Sequence, residues 1–203
     1  MNKKFLKPKI KINKVYTKTG DQGYTSLIGG KKVKKNSSRI CCFGKIDELN
    51  VTIGSCVVCI NLLDIINKND FILSLVKIQN DLFNLGNMIA TPIDNINDMM
   101  PKITIKSVKY LEENIDKYNN DLSSLSSFVL PGGSELNIRF HFARTLCREC
   151  ERIIVDINEK ENIDLVTIKY LNRLSDLLFV WSRYVNAKFS IKELTWDPNS
   201  GNN

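Results

Sequence analysis

Two stretches of this chain gather residue types suited to handling an anion. From Thr17 the order is Thr-Lys-Thr-Gly-Asp-Gln-Gly23; Thr25 and Ser26 follow, and Lys31, Lys32, Lys34 and Lys35 stand close behind. Glycines let backbone N–H groups turn toward a bound anion, hydroxyls add donors and lysines supply charge, which together make a phosphate cradle. The G-x-x-x-x-G-K-[ST] spacing of a Walker loop is absent, and no strand-to-helix context accompanies it, so the ordinary P-loop reading lacks its warrant. On its residues alone the segment is equally an exposed turn.

The second stretch runs along a helical pattern in which Arg144, Arg148, Glu151 and Arg152 share one face. Ala143, Leu146, Cys147, Cys150 and Ile153 fill the rest and demand burial. Two readings stay open: a solvated ion ladder of little energetic worth, or a face that meets an anion or a neighbouring subunit, for which arginine is the suited residue. Asn172, Arg173 and Asp176 interrupt a later apolar pattern, with Asn172 and Asp176 one turn apart, and are candidates for the same site. Conventional catalytic sets are thin. His141 is the one histidine, no Glu stands three residues before it as a di-iron bundle requires, and no nucleophile elbow is visible. His141 reads as a packing or capping residue, and the chemistry must need little acid–base help. Cys56/Cys59 and Cys147/Cys150 have C-x-x-C spacing but fall inside helical patterns, so they read as small buried hydrophobes rather than zinc ligands.

What must position these groups is a helical bundle. Residues 15 to 30 hold four of the ten glycines and cannot form a stable helix. From Phe43 onward helical periodicity predicts helices near 43–67, 71–90, 104–122, 134–160 and 164–188. Leu75, Ile78, Leu82, Leu85 and Ile89 make one core seam; Tyr170, Leu174, Leu177, Trp181 and Tyr184 make another. Ser134 is placed as an N-cap with Glu135 in the first turn. The expected fold is all-α: a five-helix bundle over 43–188, an irregular N-terminal segment over 1–42 that holds the candidate nucleotide-binding stretch, and a tail over 189–203, together one domain of 203 residues.

Charge is distributed unevenly. Residues 1–35 carry eleven Lys against one Asp, net +10, so the rest of this +7 chain is slightly acidic. A basic end without interleaved groove-reading residues suits a compact polyanion or a solubilising tail better than nucleic acid. No apolar run reaches bilayer length and the start lacks a secretory h-region, so neither membrane nor export is expected and the cytoplasm is the expected location, with an organelle such as the mitochondrion the alternative in a eukaryote.

Five ordered segments carry a resemblance: Val15–Leu27 (VYTKTGDQGYTSL), Phe43–Asn50 (FGKIDELN), Phe128–Ser134 (FVLPGGS), His141–Arg148 (HFARTLCR) and Tyr170–Phe179 (YLNRLSDLLF). In this order they resemble the propanediol-utilisation type of ATP:cob(I)alamin adenosyltransferase over roughly residues 14 to 188. The resemblance implies a homotrimer of five-helix bundles with ATP held between adjacent subunits. It places Thr17, Lys18, Thr19, Gly20, Thr25, Ser26 and Lys35 over the phosphates and makes Arg148, Glu151, Arg152 and Asn172 further nucleotide contacts, with Asp176 as a neighbour. Asp47 and Arg144 are implied to pair across the subunit boundary, and Phe128 to lie under the corrin ring and displace the lower axial base. The implied ligands are ATP, a corrinoid and Mg2+, with no metal held by the protein alone; a corrinoid reductase and an adenosylcobalamin-dependent enzyme are the implied partners.

Such a site needs no general base. Cobalt(I) is itself a strong nucleophile toward C5′ of ATP, so alignment and stabilisation of the departing triphosphate suffice. Glu149 departs from the family pattern, in which some relatives carry Arg, and is expected to weaken ATP affinity; Cys41-Cys42 is unusual, and the last fifteen residues match poorly. A nucleotidase of other chemistry, or a trimeric escort or sensor that binds both ligands without turnover, is the rival reading.

Overall fold

The computed structural model describes residues 13, 15–64, 68–97 and 99–200. Five helices dominate: α1 (Ser38–Asn61), α2 (Lys68–Ala90), α3 (Ile105–Asn119), α4 (Glu135–Lys160) and α5 (Val166–Lys188). Helix α4 packs on both α5 and α1, α1 on α2, and α3 on α5. Both predicted seams are core: from Leu75 to Ile89 on α2 and from Tyr170 to Tyr184 on α5, every seam residue is buried. Phe71, Tyr118, Phe140, Trp181 and Tyr184 pack their rings together among these helices, with Phe71 and Trp181 centroids 4.7 Å apart. No helix among the described residues is long and apolar enough to cross a membrane.

Local chemistry sets the ends of these elements. Ser134 is extended and its Oγ accepts the Asn137 N–H at 3.2 Å, the cap expected for α4. Gly133 before it has φ 98°, and a Cβ there would meet the Asn186 amide at 2.8 Å, so only glycine brings the loop so close to α5. Helix α1 corrects the expectation. It starts at Ser38 rather than 43, because Arg39 and Cys42 face the core and hold that first turn by packing, and its regular part closes at Asn61 where Leu62 and Leu63 turn back onto the Cys59 and Ile60 carbonyls. The irregular segment assigned to 1–42 therefore ends at Ser37; residues 1–12 and 14 of it, and 65–67 of the expected first helix, lie outside the described residues.

That segment also contains a small hairpin. Strands β1 (Tyr24–Ser26) and β2 (Lys32–Lys34) pair antiparallel with Thr25 opposite Val33. Gly29 and Gly30, at φ 95° and 88°, turn the chain between them. Leu27 is buried and the Ile28 N–H donates to the Ala90 carbonyl at 2.9 Å, which docks the hairpin tip on the end of α2.

The paired cysteines behave as core. Cys56, Cys59, Cys147 and Cys150 are all buried, and the Cys147 thiol donates to the Leu171 carbonyl at 3.2 Å. Burial pushes the Cys56 and Cys150 thiols up to about 12, as for small side chains packed in a core. Cys42 is buried too, whereas Cys41 is exposed.

Two charged or titratable groups inside this core are informative. Arg39, 6% exposed, donates to the Ile89 carbonyl at 2.7 Å and the Thr91 carbonyl at 3.3 Å, satisfying the end of α2, and to Glu161 at 2.7 Å. Glu161 is 54% exposed, so solvent screens that ion pair while the carbonyl bonds stay desolvated. His141 is 4% exposed and neither ring nitrogen has a partner; burial, and then the Arg144 charge, lower its pKa to about 4 against a weaker opposing pull from Glu193.

Unequal costs follow for the two ends of the Arg39 pair. Arg39→Ala strips two buried carbonyls of their donor and is expected to cost about 2–3 kcal/mol, whereas Glu161→Ala costs under about 1 kcal/mol, as measured by urea unfolding. His141 binds fewer protons folded than unfolded, so its contribution is intact above about 6.5 and is lost as the pH falls toward 4. His141→Asn is therefore expected to flatten the stability–pH curve across that window by nearly one proton, and an unchanged slope contradicts the neutral burial.

Candidate functional site

The N-terminal strap folds its polar residues around one concavity. Thr17, Lys18, Thr19, Gly20, Thr25, Ser26 and Lys35, the seven residues singled out in the sequence, line a single cavity of about 730 Å3 together with Tyr16, Asp21, Tyr24 and Lys32. Its shape comes from main-chain turns: Gly23 N–H to the Gly20 carbonyl at 3.2 Å and Lys35 N–H to the Gly23 carbonyl at 2.9 Å. The Lys35 side chain crosses close to Gly20, where a Cβ would stand 2.9 Å from its ammonium nitrogen. Thr17 and Thr19 hydroxyls meet at 2.9 Å, and the Lys32 ammonium lies 5.1 Å from the Tyr24 ring centre. Exposed ammonium groups and clustered hydroxyls give this concavity the character of an anion site.

The guanidinium stripe stands on the bundle. Glu151 on α4 accepts from the Asn172 amide on α5 at 3.1 Å, so the two elements share one polar wall as expected. Asp176 joins it indirectly: Arg173 contacts the Asn172 carbonyl oxygen at 3.1 Å and Asp176 at 3.3 Å, while its Nε reaches Glu112 on α3 at 3.0 Å. Arg148 and Arg152 are exposed and, among the described residues, form no ion pair. Glu149 turns away from this stripe; its carboxylate lies 3.3 Å from Lys45 of α1, which also holds Glu48 at 2.9 Å.

Arg144 opens a second cavity of about 640 Å3, shared with Leu125, Ser127, Phe128, His141, Phe179 and Trp196. Here the tail, matched poorly by the sequence, becomes part of the site. Residues 127–130 and 194–196 run together: Leu130 N–H donates to the Leu194 carbonyl at 2.8 Å, Trp196 N–H to the Phe128 carbonyl at 2.7 Å, and Ser127 Oγ to the Trp196 carbonyl at 2.8 Å. Phe128 is 80% exposed and Trp196 51%, their ring centres 6.4 Å apart and steeply inclined. Large aromatic faces left open in this way ask for a flat apolar ligand. Behind them Arg144 Nε is buried without a partner, and burial followed by the Arg148 charge lowers its pKa.

The sequence named Phe128 and Arg144 but missed Trp196, His141 and Phe179 as cavity walls. His141 stands one turn before Arg144 on the same helix face, a signal that was available; Trp196 lies in an aperiodic tail and gave none. Two predicted partnerships do not form within a single chain. Asp47 lines a separate small cleft with Phe43, Asn50 and Phe83 and has no ion pair with Arg144, and no residue of α4 or α5 lines the strap cavity.

Comparison with known proteins addresses the same residues. The family described as cobalamin adenosyltransferase matches residues 15–185. The corrinoid adenosyltransferase of Bacillus subtilis is 39% identical over 184 residues, 91% of this chain and 92% of the relative. The cobalamin adenosyltransferase of Cupriavidus metallidurans is 37% identical over 186 residues, covering 92% and 95%. Among solved structures, a variant of the PduO-type ATP:corrinoid adenosyltransferase from Lactobacillus reuteri, complexed with cobalamin and ATP, is similar with a TM-score of 0.81 at 34% identity, covering 90% of this chain and 99% of that one. A further variant of that protein, complexed with ATP, gives 0.80 at 34% identity with 90% and 100% covered. A five-helix bundle that carries the five motifs in order, matches the family over most of its length and aligns with relatives nearly end to end belongs to the cobalamin adenosyltransferase family.

Proposed function

We propose that this protein transfers the 5′-deoxyadenosyl group of ATP to the cobalt of a reduced corrinoid, as a homotrimer whose sites lie between adjacent copies. The observation that carries the reading is Arg144, which belongs at once to the guanidinium stripe of α4 and to the aromatic cavity, with its Nε buried and unpartnered. A half-buried guanidinium with its Nε unpartnered is suited to take a partner from outside its own chain. Asp47 of a neighbouring copy supplies it, and the same docking brings that copy's strap cavity over Arg148 and Arg152.

Each step then falls to a placed group. Phe128 and Trp196 offer the apolar floor on which the corrin lies and from which water and the axial base are excluded; without that donor, cobalt(II) is easier to reduce, and a corrinoid reductase supplies the electron. The cobalt(I) electron pair attacks C5′, the Co–C bond forms as the C5′–O bond breaks, cobalt becomes formally cobalt(III), and triphosphate departs with the displaced pair. Lys18, Lys35, Arg148 and Arg152 meet the charge that develops on the leaving group. Asp21 and the strap hydroxyls are hard oxygen donors of the kind Mg2+ accepts beside phosphate oxygens, so the fit is good for an ion carried in on the nucleotide, where it neutralises phosphate charge. The product serves an adenosylcobalamin-dependent enzyme, in the cytoplasm on the simplest assignment.

Protein mixed anaerobically with ATP, Mg2+ and chemically reduced cobalamin is expected to give the adenosylcobalamin spectrum and stoichiometric triphosphate; phosphate release that ignores corrinoid points to a nucleotidase, and binding without turnover to an escort. Arg144→Ala is expected to lower kcat/KM for ATP on the order of 100-fold and to shift the trimer toward monomer in sedimentation. For Phe128→Ala the expectation is a drop of roughly tenfold or more in the rate starting from cobalt(II), with a smaller effect when cobalt(I) is supplied directly. Near-normal rates in both variants contradict these roles.

A further inference from the structure

Arg183 lines neither cavity, yet it is 5% exposed and fully engaged. Its Nε lies 3.1 and 3.0 Å from the two oxygens of Glu193, and its terminal nitrogen lies 3.0 Å from Glu193 and 2.9 Å from the Ser123 carbonyl. Glu193 immediately precedes the 194–196 segment that carries Trp196; Ser123 begins the loop that leads to Phe128. One side chain of the rigid helix α5 thus grips both of the segments that bring the two open aromatic rings to the cavity.

We infer that Arg183 is a positioning residue for corrinoid binding, a latch that sets Trp196 and Phe128 against the α4 wall. The inference rests on the proposed function for the identity of the ligand.

Other restraints act at the far ends of the two segments: the Ile191 N–H donates to the Asn186 carbonyl of α5 at 2.9 Å, and the Asn186 amide to the Gly132 carbonyl at 2.9 Å. Lys188 and Asp121 pair at 3.2 Å but both are exposed, which makes the pair worth little. Ser190 turns the chain out of α5 at φ 54°, an unfavourable region for a residue other than glycine. The main-chain bonds between residues 127–130 and 194–196 hold the two segments to each other, not to the bundle. A buried ion pair does little for overall stability, since desolvation offsets the attraction, so its effect here is on arrangement. The chemistry requires arginine: a planar fork holds a carboxylate with two donors while a further N–H reaches a carbonyl, which a lysine point charge cannot fix in one orientation.

Two readouts test this on the full chain. With no corrinoid present, trypsin cleavage after the exposed Lys192, followed by mass spectrometry, is expected to be at least fivefold faster in Arg183→Gln and in Glu193→Gln than in the wild type. In turnover, both variants are expected to raise KM for the corrinoid tenfold or more, leave KM for ATP within twofold, and lose at least half of the four-coordinate cobalt(II) absorption seen with ATP; Arg183→Lys is expected to recover only part. Should Arg183→Gln not fold, Glu193→Gln decides alone, because its side chain lies outside the helices. A wild type that turns over while the Gln variants keep its corrinoid KM and its cobalt(II) spectrum overturns the inference, whether or not the tail is loosened. A wild type that makes no adenosylcobalamin overturns the proposed function, and the positioning role with it; the trypsin result still states whether the latch holds the tail.

Discussion

The closure of α4 on α5 is the contact on which both polar surfaces depend. Phe140, Ala143, Cys147, Cys150 and Ile154 on one helix and Tyr170, Leu174, Leu177 and Trp181 on the other are removed from water together. Because the apolar side of α4 is consumed in this way, Arg144, Arg148 and Arg152 have no inward position and must share the remaining face. The Glu151–Asn172 bond across the same contact then sets how the polar residues of the two helices register. Functional side chains here are placed by the burial of their neighbours rather than by interactions of their own.

That placement leaves three buried atoms unpartnered at the aromatic cavity, while Ser37 Oγ, Tyr118 Oη and Trp181 Nε1 are unpartnered elsewhere. Arg144 Nε and both nitrogens of His141 are buried without partners, whereas the other buried arginines, Arg39 and Arg183, bond to carbonyls and carboxylates. The contrast separates two uses of a desolvated guanidinium. Arg39 and Arg183 finish the protein's own backbone, while Arg144 is left unfinished until something else arrives. For a corrinoid adenosyltransferase this economy is sufficient, since the nucleophile is the metal of the substrate and the protein need only bring three bodies into line.

The sequence made the helical part legible because its signal is periodic. A 3, 4, 3, 4 spacing on α2 and α5 can be satisfied only by a buried stripe, and Ser134 before Glu135 marks a helix start by its hydrogen-bonding chemistry. The strap residues were legible as well, through glycine and hydroxyl content and through the ordered resemblance. Three things were not. The start of α1 rests on tertiary packing of Arg39 and Cys42; Ser37 stands at the cap position but makes no side-chain cap bond, and no apolar period before Phe43 pointed to it. Trp196 reaches the cavity through main-chain bonds, which any residue types can make. Asp47 and Arg144 lie apart in one chain and no local pattern relates them; only the resemblance paired them, across a subunit boundary.

One feature of the strap bears on how ATP can be held at all. Its hairpin tip is pinned to α2 by Leu27 and the Ile28–Ala90 bond, and only Lys35, Asn36 and Ser37 separate β2 from α1. A long cationic tether fixed at one end would forfeit much conformational freedom on wrapping a nucleotide, a loss that subtracts directly from affinity. With the hairpin already moored, the strap cavity proposed for the phosphates would have its β1–β2 side preformed before a nucleotide arrives.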